Sequence, residues 1–445
     1  MNLLEHPTVK AFKNRSVTGP SATTPLDSGW LRQLALDAGA DDVGLVEIGR
    51  PALDEQRDDI LAFFPQTETL LSFVCRMNRE SIRSTARSVA NLEFHRTGDK
   101  VNEAAHKIVA RLEAEGIRAI NPSMGFPMEM DRFPDRKIWV VSHKPVAVAA
   151  GLGHMGIHHN VIHPRLGNFI LLGTVLIGTK ASKYDQAIDY NPCLECKLCV
   201  AACPVGAISA DGHFNFSACY THNYREFMGG FTDWVEQIAD SKNAHDYRNR
   251  VNASESASMW QSLSFGANYK AAYCMAVCPA GENVLAPFLA DRASYVQEIV
   301  RPLQDKKETV YVVKGSDAEA YVAKRFAKKE VKRVNGSLHP RSIDGFLRGL
   351  SLVFQRDQAK ALNATYHFTF TGEEERRATV IVRNRALTVA EDHIGTPDLC
   401  VTADTRTWLR FLAKEQNIAT ALLRRKIRIK GPLRLLIAFG RCFPS

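Results

Sequence analysis

The chain has 445 residues, of which 45% are hydrophobic and 24% charged, so it has an ordinary globular composition and enough length for two or three hydrophobic cores. No run reaches the roughly 18 consecutive apolar residues of a membrane helix, which excludes a helical membrane protein. The net charge of +9 permits an acidic partner, either nucleic acid or an acidic electron donor. Charged runs such as Lys324 to Lys332 are typical of a solvated surface.

The first 24 residues are polar, so we expect an N-terminal extension without an export signal and a cytoplasmic protein with reduced thiols. Helical and extended patterns then alternate over residues 25–182, which predicts an α/β layer domain. Helices are predicted over 28–38, 52–64 and 100–115, and strands over 43–48, 70–76 and 138–142.

A glycine-rich stretch occupies residues 149–174. Gly151, Gly153, Gly156 and Gly167 let the backbone turn tightly and approach a flat ligand closely. The G-x-G-x-x-G order is only a weak dinucleotide signal, because no clear strand precedes it. A tight helix-to-strand junction is the alternative interpretation.

Histidines are also concentrated in this stretch. His154, His158 and His163 have near-helical spacing, which would suit a metal site on one helix face. Gly156 and Pro164 argue against a regular helix through all three. Contact with a cofactor and simple packing remain the other interpretations.

The strongest chemical signal is a cysteine pattern. Cys193, Cys196, Cys199 and Cys203 precede Pro204 with the spacing C-x2-C-x2-C-x3-C-P of a bacterial [4Fe-4S] ferredoxin. A second piece, Cys274 and Cys278 before Pro279, repeats the end of that motif. In two-cluster ferredoxins the fourth cysteine of each run binds the other cluster, so the two pieces should interlock. A zinc site or a disulfide framework fits this spacing and compartment less well.

The order of motifs resembles the corrinoid iron-sulfur reductases, meaning the epoxyqueuosine reductases and reductive dehalogenases. The matching positions are an AGLG-x-x-G segment at 150–156, an LG-x-x-x-x-LG segment at 166–173, and the two-part cysteine motif. The resemblance covers roughly residues 25 to 290. It implies a nitroreductase-like α/β domain that holds cobalamin, followed by a ferredoxin-like module with two clusters.

The resemblance also implies which residues contact the cofactor. A flavin is the alternative to cobalamin, because the implied fold is shared with flavin nitroreductases. The cofactor-binding residues are then expected to be Gly151, Gly153, His154, Gly156, His158, His159, Gly167 and Asn168.

Carried over residue by residue, the resemblance implies two ligand sets. Cys193, Cys196, Cys199 and Cys278 would hold one cluster, and Cys203, Cys219 and Cys274 the other. The family's remaining ligand would lie three residues before Cys274, where this chain has Ala271. The second site would hold a [3Fe-4S] centre, a [4Fe-4S] cluster with a non-cysteine ligand, or no cluster. His222 is the nearest polar candidate, and a surface histidine is the alternative.

Such a reductase also needs a proton donor, and the candidates lie before the glycine stretch. They are His143, Asp131, Asp135 and Lys144. Burial beside a corrin would raise a carboxylate's pKa toward neutrality, and His143 titrates near physiological pH at the end of a predicted strand. Alternatively, the two aspartates pair with the neighbouring Arg132, Arg136 and Lys137.

The C-terminal third has a different pattern. Residues 301–338 predict a β-α-β linker, with strands at 309–313 and 331–334 and a helix at 318–326. Residues 339–445 follow with strands at 366–370, 379–382 and about 400, a helix from about 408 and a final apolar helix at 433–439.

The last segment resembles the sterol carrier protein type of lipid-binding domain. The matching residues are Pro397, Asp398, Val401 and Thr402, then a Trp-Leu pair at 408–409, then Ala421-Leu and the I-x-I-x-G of 427–431. Such domains enclose an apolar tunnel for a lipid. The resemblance therefore favours a small apolar substrate over tRNA, while a capping or dimerising role is the alternative.

These features predict a chain of α/β and α+β class with boundaries at 1–24, 25–182, 183–300, 301–338 and 339–445. The leading hypothesis is a cytoplasmic, cobalamin-dependent iron-sulfur reductase supplied by ferredoxin or flavodoxin. The alternatives are a non-catalytic electron carrier with a lipid-binding domain, and an epoxyqueuosine reductase acting on tRNA.

Overall fold

The computed structural model describes residues 3–13, 24–132, 138–336 and 340–444. In chain order these form a short N-terminal helix, an α/β layer, a helical cysteine-bearing module with a small parallel sheet, and a C-terminal α+β unit. Within those ranges, every helix is too short or too polar to cross a bilayer.

The first α/β layer is built on four antiparallel strands in the order β1-β2-β6-β3. The central strand β2 is buried along almost its whole length, as its continuous apolar run requires. Apolar residues of β1, β2 and β6 alternate between the two faces, so α2 and α5 cover one face, and α3 and α6 cover the other. The elements are α1 Pro7–Lys13, α2 Ser28–Ala38, β1 Asp42–Glu47, α3 Asp54–Phe63, β2 Thr69–Arg76, α4 Arg79–Arg83, α5 Arg87–Ala114, β3 Ala119–Ile120, α6 His143–Ala149, β4 His154–Met155, β5 Val161–Ile162 and β6 Ile170–Ile177.

Two local predictions in this layer are wrong. Residues 138–142 form bends instead of a strand, and α6 begins at His143 with Pro145 in its first turn, where proline is tolerated. Helix α5 begins at Arg87, well before residue 100. The apolar periodicity misses this start because buried polar residues occupy the inward face. Glu93, for example, accepts hydrogen bonds from the Asn78 backbone (2.7 Å) and from Thr97 (3.0 Å).

The cysteine-bearing module is mainly helical and includes the predicted β-α-β segment. Strands β7 and β8 pair in parallel, as expected. Val310 and Val312 of β7 pack in the same core as Val205 and Tyr273, so this segment belongs to the cysteine module instead of linking two separate units. The elements are α7 Leu198–Ala202, α8 Phe216–Asn223, α9 Gly229–Ala239, α10 Ala244–Arg250, α11 Ala253–Phe265, α12 Tyr273–Ala276, α13 Glu282–Ala290, α14 Arg292–Tyr295, α15 Arg301–Asp305, β7 Thr309–Val313, α16 Asp317–Arg325 and β8 Glu330–Val334.

The composition of the charged run at 324–332 indicated a solvated surface. In the structure, two of its lysines are buried or partly buried. Lys329 is only 6% exposed, and its Nζ donates to the carbonyls of Leu303 and Lys306 and to Glu308. The partly buried Lys332 pairs with Glu255. Buried cations need such partners, and periodicity alone does not reveal them.

The C-terminal unit is a five-stranded sheet in the order β11-β10-β9-β12-β13, covered by helices. Only the pair β9 and β12 is parallel among its neighbouring strands. Alternate residues of β9 point into a core of packed aromatic rings from Phe346, Phe368, Phe370, Trp408 and Phe439. The elements are α17 Ile343–Val353, β9 Ala364–Thr371, β10 Arg376–Arg383, β11 Ala386–Glu391, β12 Leu399–Asp404, α18 Thr405–Leu412, α19 Ile418–Leu423, β13 Ile427–Lys430 and α20 Leu433–Cys442.

Polar contacts fasten this unit to the cysteine module. Gln355, 1% exposed, accepts hydrogen bonds from the Asp317 backbone (2.9 Å) and from Asn215 (3.4 Å). Arg356 pairs with Asp211 at 2.6 Å. Since Asn215 caps α8, the contact reaches the helix that carries Cys219.

Candidate iron-sulfur site

The glycine-rich stretch is a helix-to-strand junction, as the alternative interpretation predicted. Helix α6 ends at Ala149, and Gly151 takes a left-handed φ of 75° to redirect the chain. The strands β4 and β5 then form a short antiparallel hairpin. His154 to His163 therefore do not share a helix face, so the spacing argument for a histidine metal site fails.

Because these glycines have no side chains, other parts of the protein's backbone can pack directly against them. A Cβ on Gly151 would stand 2.5 Å from the Gln186 carbonyl oxygen, and one on Gly153 would overlap the Ile162 carbonyl. On Gly167 it would overlap the carbonyl oxygen of Ala280. The approach at Gly167 packs the stretch against the segment that follows Cys278. Contact of these glycines with a cofactor stays a prediction.

His158 faces the first cysteine group. It is 4% exposed, its Nδ1 accepts a hydrogen bond from the Asn160 backbone at 3.1 Å, and its Nε2 contacts the side-chain amide of Asn168 at 3.1 Å. Burial lowers the pKa of His158 to about 4, so the ring is neutral at physiological pH. His158 and Asn168 were both predicted to contact the cofactor, and their side chains are hydrogen-bonded to each other.

The other histidines of the stretch lie apart from one another. His163 is buried, and its Nε2 lies 3.0 Å from Asp42. His159 is exposed and stacks on Phe214, while His154 is half-buried with Nδ1 3.1 Å from the Met155 carbonyl. Their contact with a cofactor stays a prediction.

The first predicted ligand set converges on one cavity. Cys193, Cys196, Cys199 and Cys278 line it together with His158. Three of these cysteines come from one local motif, and the fourth comes from a segment about 80 residues later, as the interlocking rule predicted. The convergence supports a site for one [4Fe-4S] cluster.

Burial shapes the protonation of these thiols. It raises the pKa of Cys199 to about 12 and also raises the pKa of Cys196 and of Cys278. Iron binding would therefore displace protons from the thiols. Across the described ranges, no three Cys, His, Asp or Glu side chains are placed to hold a single metal ion. A cluster spaces its ligands around several irons, so wider spacing is compatible with it.

The second predicted set is also brought together. Cys203, Cys219 and Cys274 act on one another electrostatically: the charges of Cys203 and Cys274 raise the pKa of Cys219, and the charge of Cys203 raises that of Cys274. Burial is the largest cause in each case, and the pKa of Cys274 rises to about 11. The donor set fits a cluster with three thiolates.

Ala271 occupies the place of the expected fourth cysteine. Its backbone N–H donates to the side-chain oxygen of Asn223 at 2.9 Å. Asn223 lies four residues after Cys219 on α8, which puts both on one face of the helix. Asn223 was not among the predicted ligands, although its i, i+4 spacing from Cys219 was an available signal.

His222 is not the surface residue of the alternative interpretation. It is 1% exposed, and its Nδ1 accepts the Tyr311 backbone N–H at 3.3 Å. Its Nε2 has no hydrogen-bond partner among the described residues. Burial is the main influence on the ring, and the charges of Glu308 and of nearby lysines also act on it. Ligation of a cluster by His222 stays a prediction.

The buried ring makes stability depend on pH. Burial lowers the pKa of His222 to about 4, against about 6.5 in an unfolded chain. Below pH 6.5 the unfolded state binds a proton at His222 and the folded state does not. The free energy of unfolding should therefore fall by about 2 kcal/mol as the pH is lowered to 5. We expect His222→Gln to flatten the dependence of the urea midpoint on pH over this interval. If the urea midpoints of wild type and His222→Gln change with pH in parallel, the lowered pKa of His222 does not cause the loss of stability.

Of the predicted proton donors, His143 is the best defined. It begins α6 and is half-buried, with Nδ1 2.9 Å from the Thr174 hydroxyl and Nε2 3.1 Å from the Ser123 carbonyl. Burial lowers its pKa, so the neutral form dominates at physiological pH. This geometry links α6 to β6, and a catalytic role for His143 stays a prediction.

The aspartates are less informative. Asp131 lies on an exposed turn, and the neighbouring Arg132 pairs with Asp59 at 3.1 Å and covers the Phe63 ring. Asp135 falls in 133–137, outside the described residues. Proton donation by either residue stays a prediction.

Comparison with known families agrees with the cysteine geometry. The family model described as "4Fe-4S binding domain" matches residues 187–209, and that of the "SCP-2 sterol transfer family" matches residues 351–444. The first range contains all four cysteines of the local motif, and the second contains the five-stranded C-terminal sheet. The two predicted modules are confirmed.

Curated proteins give a further comparison, over short stretches of the chain. An epoxyqueuosine reductase of Staphylococcus aureus is 36% identical over 80 residues, covering 18% of this chain and 20% of the relative. One of Pseudomonas aeruginosa is 28% identical over 127 residues, covering 28% of this chain and 33% of the relative. Over these stretches the chain is similar to epoxyqueuosine reductases. It spans only a fifth to a third of the length of these proteins.

The similar solved structures include an epoxyqueuosine reductase and a reductive dehalogenase. An epoxyqueuosine reductase with a tRNA-Tyr stem loop covers 43% of this chain at 17% identity, with a TM-score of 0.33. A reductive dehalogenase described as B12-dependent covers 56% at 17% identity, with a TM-score of 0.37. At TM-scores below 0.5, these likenesses decide neither fold nor function.

Proposed function

We propose that this chain is an iron-sulfur oxidoreductase that delivers single electrons to a cofactor held near the glycine-rich stretch. One observation carries the proposal: the four thiols of the first group line a single cavity, and His158 of the glycine-rich stretch lines it too. Electrons would enter from a low-potential donor such as ferredoxin or flavodoxin. The cytoplasm, where thiols stay reduced, is the proposed compartment.

Cobalamin is the cofactor that we propose, with flavin as the alternative. The order of motifs, which resembles that of the corrinoid iron-sulfur reductases, supports a corrinoid. The glycine-rich stretch and its histidines are the proposed contacts, and its glycines also pack closely against protein backbone.

A small apolar compound or lipid is the proposed substrate class. The C-terminal unit supports this choice, because its matched family transfers sterols and its interior is a core of aromatic rings. Trp408 Nε1 is buried there without a hydrogen-bond partner among the described residues. A polar group on an otherwise apolar ligand would satisfy that donor.

A tRNA carrying epoxyqueuosine is the second candidate substrate. The curated relatives bear the name of that reaction, and the net charge of +9 suits a nucleic acid. A non-catalytic electron carrier is the third candidate, and it requires no cofactor beyond the clusters.

Metal analysis separates these possibilities. The protein would be purified without oxygen and with cobalamin supplied, then assayed for iron and cobalt and examined by EPR. We expect cobalt near one per chain together with cluster iron. Iron without cobalt or flavin would refute the cofactor-dependent enzyme and favour the carrier. Accumulation of epoxyqueuosine in tRNA of a deletion strain would favour the second substrate.

A further inference from the structure

Lys144 forms a polar link to the second cysteine group. It lies in the first turn of α6, and its Nζ donates to the His159 carbonyl at 2.6 Å and to Asn160 Oδ1 at 2.9 Å. Part of the residue is exposed to solvent, yet these two bonds fix the position of the ammonium group. Its location is therefore defined by hydrogen bonds on two sides.

Asn160 continues the link to a thiol. With Oδ1 occupied by Lys144, its Nδ2 points at Cys274 Sγ, 3.9 Å away, which is a long N–H···S contact. An amide that accepts from a cation becomes a better donor at its other end. The side chain is thus oriented to donate to sulfur.

The charge of Lys144 acts on two of the three thiols. Burial raises the pKa of Cys274 and of Cys219, and the charge of Lys144 partly opposes that effect. Burial lowers the pKa of Lys144 itself, and the charges of the two cysteines partly oppose that effect in turn. In the four-cysteine group, Lys197 acts in this way on Cys196. The second group therefore lies beside a cation that is held in place.

We propose that Lys144, oriented by Asn160, raises the reduction potential of a cluster held by Cys203, Cys219 and Cys274. Reduction adds one electron to an already anionic cluster, and a nearby cation and an N–H···S bond both stabilise the more negative state. No bond is made or broken, and the electron comes from the donor of the proposed function. Lys144 is a positioning residue in this proposal, which rests on the second cluster being present.

Redox titration followed by EPR tests the proposal without any substrate. For Lys144→Met we expect the equilibrium constant for reducing the second cluster to fall by about tenfold, equivalent to about 59 mV for one electron. Asn160→Leu keeps the charge but removes the amide, so a smaller shift in the same direction is expected. Lys144→Arg should restore most of the potential. The first cluster should keep its midpoint in all three variants.

The matched control is Lys107→Met, which removes one positive charge from the α5 surface, where Lys107 pairs with Glu103. It should leave both midpoints in place. Equal midpoints in wild type and Lys144→Met, or equal shifts of both clusters, would overturn the proposal. So would only about four irons per chain, since one cluster would then be missing. Cobalt content is measured separately, so failure here is distinguishable from failure of the proposed cofactor.

Discussion

Replacing Cys278 with serine is expected to remove the first iron-sulfur cluster while leaving the second. Cys278 is the only member of its ligand set from the distant motif, and it faces the cavity lined by the three local cysteines. A serine hydroxyl is a poor substitute for a soft thiolate at iron. We expect a loss of about four irons per chain and of the corresponding EPR signal. Iron and acid-labile sulfide would be measured after anaerobic purification.

Cys400→Ser is the matched control. Cys400 is a half-buried cysteine of β12 in the C-terminal sheet, outside both thiol groups. It should keep the full iron content. Retention of all iron in Cys278→Ser would mean that the two motifs do not interlock as the structure places them. Loss of every iron would mean that the clusters assemble only together.

The cysteine grouping was predictable because it follows from local spacing and from one rule of two-cluster ferredoxins: the fourth cysteine of each motif binds the other cluster. Three ligands within seven residues must lie near one another, and the fourth is exchanged between the two motifs. The structure puts Cys193, Cys196, Cys199 and Cys278 around one cavity. The chemistry of metal binding limits the possible arrangements so strongly that sequence suffices here.

The environment of the glycine-rich stretch was not predictable in the same way. Its glycines suggested room for a ligand, whereas they are needed for contacts with backbone far away in sequence, such as Gly167 with Ala280. The roles of Asn160 and Lys144 arise from the same packing. Contacts between segments more than 100 residues apart leave no periodic signal in either segment.

The placement of this stretch joins the two halves of the proposed electron path. His158 lines the four-cysteine cavity, and Asn160, two residues later, reaches Cys274 of the other group. One short hairpin therefore contacts both thiol groups. A cofactor held on that hairpin would lie close to either cluster, which favours electron transfer over a purely structural role for the iron.

Gly167→Ala should be the most damaging single-methyl change in the hairpin region. Gly167 has a φ of 70°, in the left-handed region, and an added Cβ would overlap the Ala280 carbonyl oxygen. Left-handed strain and overpacking each cost roughly 1–3 kcal/mol, so a combined loss of roughly 2–6 kcal/mol is expected. Because Ala280 lies two residues after Cys278, separation of the segments should also lower the iron content. Thermal midpoint and iron per chain measure both effects.

Two other glycines separate the causes. Gly315 also has a positive φ, 77°, but its Cβ position has no atom within 4 Å, so Gly315→Ala tests strain alone. Gly349 in α17 has neither constraint. Alanine there should stabilise the helix by roughly 0.5–1 kcal/mol. If Gly167→Ala loses no more stability than Gly315→Ala and keeps its iron, the contact with Ala280 does not hold the hairpin against the cluster. If iron falls only in Gly167→Ala, the close approach of the two segments is a condition for cluster binding.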